Sequence, residues 1–201
     1  MLEQTMTLPA AGDTDTRRIA RGLRERNVAL LLELVELYQH RLLRYMIYFL
    51  GRRDQVDDLI QETWLRVLER GSQYDARSRF EPWLFTIARN LAIDHIRKYK
   101  LFSLDSAAPS ATEDAQRIQP VSGEPSPFEL AARTEDARRL ANSLQSLEPE
   151  CREALLLRFQ EELSLQEIAA MVDAPLTTVS SRIYRGLETL RQQLKGAGYA
   201  N

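Results

Sequence analysis

The chain has 201 residues, 44% of them hydrophobic, and a formal net charge of −2, enough for one medium domain or two small ones. Its single cysteine, Cys151, and its two separated histidines, His40 and His95, supply no disulfide framework, zinc set or local Cys/His pair, so neither a metal nor another cofactor is expected. No stretch approaches the roughly 20 apolar residues that span a bilayer, and the N-terminus lacks a basic segment followed by an apolar one, so a cytoplasmic protein without membrane insertion is expected.

Leu and Ala dominate, Gly and Pro cluster, and runs of alternating Val, Ile and Thr are missing, which predicts an all-α protein. Residues 1–24 begin with "TLPAAGDTDT", turn formers without an apolar period, and read as a flexible extension. From Val28 to Phe49 apolar residues recur at three- and four-residue steps, the stripe of an amphipathic helix that Gly51 ends. A second helix, about Asp54 to Glu69, sets Val56, Leu59, Ile60, Trp64, Val67 and Leu68 against Asp57, Asp58, Gln61, Glu62 and Arg66. Its acidic start suits the positive end of the helix dipole.

After the loop "GSQYDARSR", Ser78 and Glu81 have capping-box spacing, and Pro82 fits the first turn of a third helix, about Phe80 to Lys100. Phe80, Trp83, Leu84, Ile87, Ala88 and Leu91 face inward; Arg89, Asn90, Asp94, Arg97 and Lys98 lie on the other side. Trp83 reads as core, because aromatic residues usually bury their area. Residues 101–127, rich in Pro, Ser and acid, lack the apolar surface needed to fold alone and read as a flexible linker. They hold much of the negative charge, so the total hides local basic faces.

A second domain is expected at 128–196, with a tail at 197–201. Leu130, Leu140, Leu144 and Leu147 mark one helix, and Pro149 opens another. In "LSLQEIAAMVDAPLTTVSSRIYRGL", Ser164 and Glu167 form a second capping box. Ala169, Asp173 and Val179 then occupy the small, left-handed-turn and apolar-anchor places of a helix-turn-helix, and Ile168, Met171, Val172, Leu176 and Ile183 complete its packing face. Thr177, Thr178, Ser180, Ser181, Arg182, Tyr184 and Arg185 remain for phosphate and base-edge contacts, although an ordinary helical hairpin with a solvated face fits the motif too. Cys151 reads as a small apolar filler.

Both halves carry a resemblance. "SLEPECREALLLRFQEELSLQEIAAMVDAPLTTVSSRIYRGLETLRQQL" resembles the C-terminal domain, region 4, of bacterial extracytoplasmic-function sigma factors of the sigma-70 family. "DQVDDLIQETWLRVLER" followed by "YDARSRFEPWLFTIARNLAIDHIRK" is similar to their region 2, in the expected order. The resemblance implies two small helical domains: region 2 at 25–100 and region 4 at 128–196. It also implies a non-enzymatic subunit that binds core RNA polymerase through the β′ clamp helices and β flap, recognises a two-part promoter, helps to melt DNA, and answers to an anti-sigma factor.

Position by position, the resemblance assigns Asp57, Asp58, Leu59, Gln61 and Glu62 to polymerase docking. It assigns Arg89, Asn90, Asp94, His95, Arg97 and Lys98 to the minus-10 element, with Asn90 at the place that meets an extruded base, since a Watson–Crick edge is hidden inside a duplex. Thr177, Thr178, Ser180, Ser181, Arg182, Tyr184 and Arg185 fall to the minus-35 major groove. Ser180 stands where the family often has a basic residue, and Asp173 where it often has Gly; aspartate tolerates left-handed geometry. The competing reading is a stand-alone DNA-binding regulator, which has no use for residues 54–100.

Overall fold

A computed structural model describes residues 11–53, 55–105 and 139–196. Every regular element among them is helical: α1 (Ala11–Arg24), α2 (Val28–Leu50), α3 (Val56–Arg70), a 3-10 turn at Gly71–Gln73, α4 (Phe80–Asp105), α5 (139–145), α6 (Pro149–Leu155) continuing into a π turn (Leu156–Gln160), α7 (Leu165–Val172) and α8 (Leu176–Gly196). The linker expected at 101–127 therefore begins later than the sequence suggested. α4 runs five residues past Lys100, and the first proline that could stop it is Pro109. Residues 106–138, which hold the rest of that linker and the expected start of the second domain, lie outside the described residues, as do the tail 197–201 and residues 1–10.

The expected extension at 1–24 is corrected as well. α1 buries Ile19, Ala20 and Leu23, each under 10% exposed, with Gly22 against Leu30 and Leu23 against Gly71. Arg18 forks onto Glu33 of α2 with nitrogen–oxygen distances of 2.6 and 2.9 Å. Three inward residues make too short a stripe to stand out behind a run of turn formers.

α2 starts where the Asn27 side chain accepts the Leu30 amide at 3.1 Å, and stops at Gly51, whose φ of 73° is left-handed and whose amide reaches Ile47. Between these ends it meets α3 and α4 in an apolar core. Leu42, Tyr45, Met46, Leu84, Phe85 and Ala88 are all fully buried, and the Tyr45 ring stacks on Phe49 at 5.6 Å and meets the edge of Phe85 at 5.3 Å. Each large side chain here contributes about 1.5–3 kcal/mol by leaving water. Trp83 sits half-buried, 5.4 Å from Tyr74 and 5.6 Å from Phe80. The Ser78–Glu81 box does not form as expected: α4 begins at Phe80, and the Glu81 carboxylate accepts the Tyr38 hydroxyl at 3.0 Å and pairs with Arg79 at 3.4 Å.

In the second half Pro149 opens α6, where its missing N–H costs nothing. The π turn follows, closed by the Glu161 amide on the Leu156 carbonyl at 3.1 Å. α7 then starts on a complete capping box: Ser164 Oγ accepts the Glu167 amide at 3.2 Å, and the Glu167 carboxylate accepts the Ser164 amide at 2.7 Å. Asp173 turns the chain at φ 51°, ψ 55°, and Ile168, Met171, Val179 and Ile183 are buried between the two helices. Leu176, expected in that face, is 41% exposed, because it sits at the first position of α8, short of the crossing. α8 crosses α6 so closely that a Cβ on Gly186 would lie 2.8 Å from Leu155 Cδ1.

The two halves also pack on each other, α4 against α7 and α2 against α6 and its π turn. This seam has its own chemistry. Arg41 of α2 donates to Glu161 at 3.0 Å, Arg89 of α4 donates to Glu153 of α6 at 2.6 Å, and Gln145 of α5 donates to the Tyr48 carbonyl near the end of α2 at 2.7 Å. Arg152 in turn donates to the Gln145 backbone carbonyl at 3.2 Å. Among the described residues four polar side chains are buried, Thr63, Arg152, Glu153 and Glu161, and the last three lie at or behind the seam.

Candidate functional site

The acidic start of α3 forms one surface. Asp57, Asp58 and Gln61 are exposed, Glu62 is half-buried and bonded to Arg66 at 2.8 Å, and Leu59 is partly buried against the core. Leu59 thus supports this surface more than it forms it. Leu65, 54% exposed, and Leu68, 41% exposed, continue the surface along the helix. Leu65 escaped the sequence reading, although it lies four residues after Gln61 and off the buried stripe, which is a legible signal for an apolar residue on a polar face. An acidic rim beside exposed leucines suits a partner with basic and apolar groups together.

The polar face of α4 forms a second surface. Asn90, Asp94, Arg97 and Lys98 are exposed, and Asp94 and Arg97 are 3.8 Å apart. Asn90, Asp94 and Arg97 follow steps of four and three, so they share one side of the helix. Tyr99, 50% exposed with the Arg52 guanidinium 4.4 Å above its ring, adds an aromatic group that the sequence reading missed as a lone residue at the end of a basic run. Phe85 is fully buried and offers no stacking platform. His95 is half-buried, and its Nε2 has no hydrogen-bond partner among the described residues.

Arg89 departs from this group. Its side chain is 17% exposed and turned into the seam against Glu153. Burial pushes the Glu153 carboxyl up from its usual range, while Arg89 and, less strongly, Arg182 of α8 pull it down. Burial likewise pushes Glu161 up against the pull of its Gln160 hydrogen bond and of Arg41. One carboxylate, Glu153, therefore feels a guanidinium from each of the two nucleic-acid faces expected from the sequence.

The third surface is α8. Thr177, Ser181, Tyr184 and Arg185 are exposed, Tyr184 at 72%; Thr178, Ser180 and Arg182 are half-buried. Val179 and Ile183 anchor the opposite side, so the exposed residues project from a fixed helix. Arg185 lies 3.4 Å from Glu148, an exposed pair that is weakly held. Hydroxyls, a phenol and arginines on one rigid face match the donors and acceptors of a major groove. Among the described residues no helix is long and apolar enough to cross a membrane, and no group of His, Cys, Asp and Glu is placed to hold a metal.

Comparison with known proteins matches residues 34–101 to the family described as Sigma-70 region 2 and residues 137–190 to Sigma-70, region 4. The ECF RNA polymerase sigma factor SigW of Bacillus subtilis is 30% identical over 164 residues, covering 81% of this chain and 88% of SigW. SigC of Mycobacterium tuberculosis, also an ECF RNA polymerase sigma factor, is 30% identical over 185 residues, covering 92% of this chain and 94% of SigC. Among solved structures, the sigma factor RpoE of Bartonella quintana, in complex with the anti-sigma factor NepR, aligns with a TM-score of 0.65 at 25% identity, over 81% of this chain and 95% of RpoE.

Proposed function

This chain belongs to the extracytoplasmic-function sigma factors of the sigma-70 family, and from that premise we propose how its three surfaces direct promoter-specific initiation. Asp57, Asp58, Gln61 and Glu62, carried on Leu59, dock core RNA polymerase at the clamp helices, with Leu65 filling an apolar notch beside them. Asn90 receives an extruded base of the minus-10 strand, and Asp94, His95, Arg97 and Lys98 hold the adjoining strand; Arg89 joins them once it leaves Glu153. Thr177, Thr178, Ser180, Ser181, Arg182, Tyr184 and Arg185 enter the minus-35 major groove, with the second half resting on the β flap. The protein acts in the cytoplasm. An anti-sigma factor restrains it, as the NepR complex of the Bartonella relative suggests.

One observation carries this reading: a single chain presents both an open acidic helix start in its first half and an open helix-turn-helix face in its second. A stand-alone regulator needs only the latter. The deciding experiment is run-off transcription by purified core polymerase, with and without this protein, on templates randomised at both promoter elements. Enrichment of two spaced elements is expected; absence of protein-dependent initiation by the folded chain would favour the stand-alone regulator. Within that assay Asn90→Ala lowers open-complex formation at least tenfold with core binding unchanged, whereas Asp58→Lys impairs core binding first. Equal loss of both activities in Asn90→Ala would make Asn90 structural.

A further inference from the structure

Among the described residues the densest run of positive charge belongs to none of the three surfaces above. Five of the ten residues from Arg17 to Arg26 are arginine, in a chain whose net charge is −2. We propose that Arg17, Arg21 and Arg24 of α1 form a ridge that grips the phosphate backbone of the opened promoter strand, downstream of the minus-10 element. This rests on the sigma-factor reading above and adds to it a DNA contact outside residues 34–101, the part matched to Sigma-70 region 2.

The fold aims the ridge. Ile19, Ala20 and Leu23 are buried, Gly22 lies against Leu30, and Arg18 is tied to Glu33, so α1 is held against rolling about its axis. At about 100° per residue Arg17, Arg21 and Arg24 then fall within about 60° of one another, turned away from Ile19 and Leu23, over a length of about 10 Å. All three are exposed. Glu33 neutralises Arg18, whereas Arg21 and Arg24 have no ion-pair partner among the described residues. Glu25 is exposed beside them, one carboxylate against three guanidinium groups. Arginine forks suit the paired oxygens of a phosphate, and a row of them follows a backbone without reading its bases.

The position of α1 names the stretch of DNA. The Asp15 carboxylate of α1 is felt by Tyr38 and Tyr74, and each of these rings meets Phe80, the first residue of α4, at 5.5 Å. Leu23 rests on Gly71, which brings the exposed Arg70 to the far end of the ridge. The ridge therefore stands where α4 begins. From Phe80 to Asn90 that helix covers about 15 Å, so a strand held at Asn90 meets the ridge within a few nucleotides. The opposite end of α4 leads into the chain that joins it to the minus-35 reader. The minus-35 element lies upstream, so the ridge faces downstream.

The test uses core polymerase assembled with the full chain, on a promoter selected in the run-off assay. Two fluorescent single-stranded probes are compared, one ending with the minus-10 element and one continuing about six nucleotides downstream. Each phosphate contact on a single strand adds about 0.7 to the slope of log affinity against log salt, so the extension should steepen the wild-type slope by about 2. Arg21→Gln/Arg24→Gln should remove about 1.4 of that gain and leave the short probe unchanged. Arg139→Gln/Arg191→Gln, at two exposed positions away from the ridge, makes the same change in net charge and should leave both slopes as they are. Arg21→Lys/Arg24→Lys keeps the charge, should restore most of the slope, and serves if the glutamine pair loses its helical circular dichroism. Equal wild-type slopes for the two probes overturn the ridge; so does an equal fall in the matched control, or equal weakening of both probes. Loss of core affinity in the glutamine pair would make the ridge a polymerase contact and overturns its assignment to DNA. If the wild type selects no promoter, the sigma-factor reading fails by itself. The ridge is then read on the free chain with a random strand of about 12 nucleotides, where the glutamine pair should still lower the slope by about 1.4 and an unchanged slope overturns it.

Discussion

The core of the first half and the seam between the halves are both interfaces in which helices meet; one buried apolar cluster runs through both halves, and the seam adds charged pairs to it. The Tyr45 ring stacks on Phe49 and meets the edge of Phe85 among the buried Leu42, Met46 and Leu84, and its hydroxyl end reaches toward the seam groups Glu153 and Arg89. Across the seam the specific contacts are Arg41–Glu161, Arg89–Glu153 and Gln145 on the Tyr48 carbonyl. An apolar core loses its stabilisation when it is exposed to water. A buried ion pair loses its attraction on exposure but recovers hydration of both charges, so its net contribution is small. Apolar packing resists separation, whereas the ion pairs of the seam add little to it.

The strongest way to break this contrast is in the core. Phe85→Ala removes a fully buried ring that meets Tyr45 edge-on, and it should cost about 3–5 kcal/mol in denaturant unfolding. A loss below about 1 kcal/mol would mean that the first half is loosely packed. Overfilling the α6–α8 crossing is the next test: Gly186→Ala sets a methyl 2.8 Å from Leu155 and should cost about 1–3 kcal/mol. At the seam the prediction is smaller and more diagnostic. Arg41→Ala leaves Glu161 without its guanidinium, which would cost about 3–5 kcal/mol if the carboxylate were trapped, but less than about 1 kcal/mol if the halves part and rehydrate it. A large loss of global stability would place the seam with the core. Ser164→Ala, away from both, should cost about 1 kcal/mol through its lost cap, measured by the same unfolding curves.

Local features were legible because their determinants are neighbours in sequence. Ser164 and Glu167 specify the start of α7 within four residues, and Asp173 and Val179 specify the turn and anchor that follow. Gly51 ended α2 as expected. The misses share a different cause. Arg89 and Glu153 are separated by 64 positions, and each reads by itself as an outward charge on an amphipathic helix. Among the described residues of α1 only Ile19, Ala20 and Leu23 are buried apolar side chains, and Ser78 mimics a cap whose helix starts one residue too late to use it. On the docking face the acids could be found by pattern, but Leu65 was hidden among them because leucine normally signals the inside.

The π turn at Leu156–Gln160 works as a phase shifter. Each residue of an α-helix advances the side chains by about 100°, so one extra residue in the turn swings everything downstream by that angle without lengthening the helix much. Glu161 is the first residue to emerge from it, aimed at Arg41. A single-codon deletion within this stretch would restore the α register and carry Glu161 away from its partner. The helix-turn-helix beyond it, held by its own caps and anchors, could keep its internal geometry. How firmly the chain closes could in this way change through helical phase alone, with every residue of the reading face left as it is.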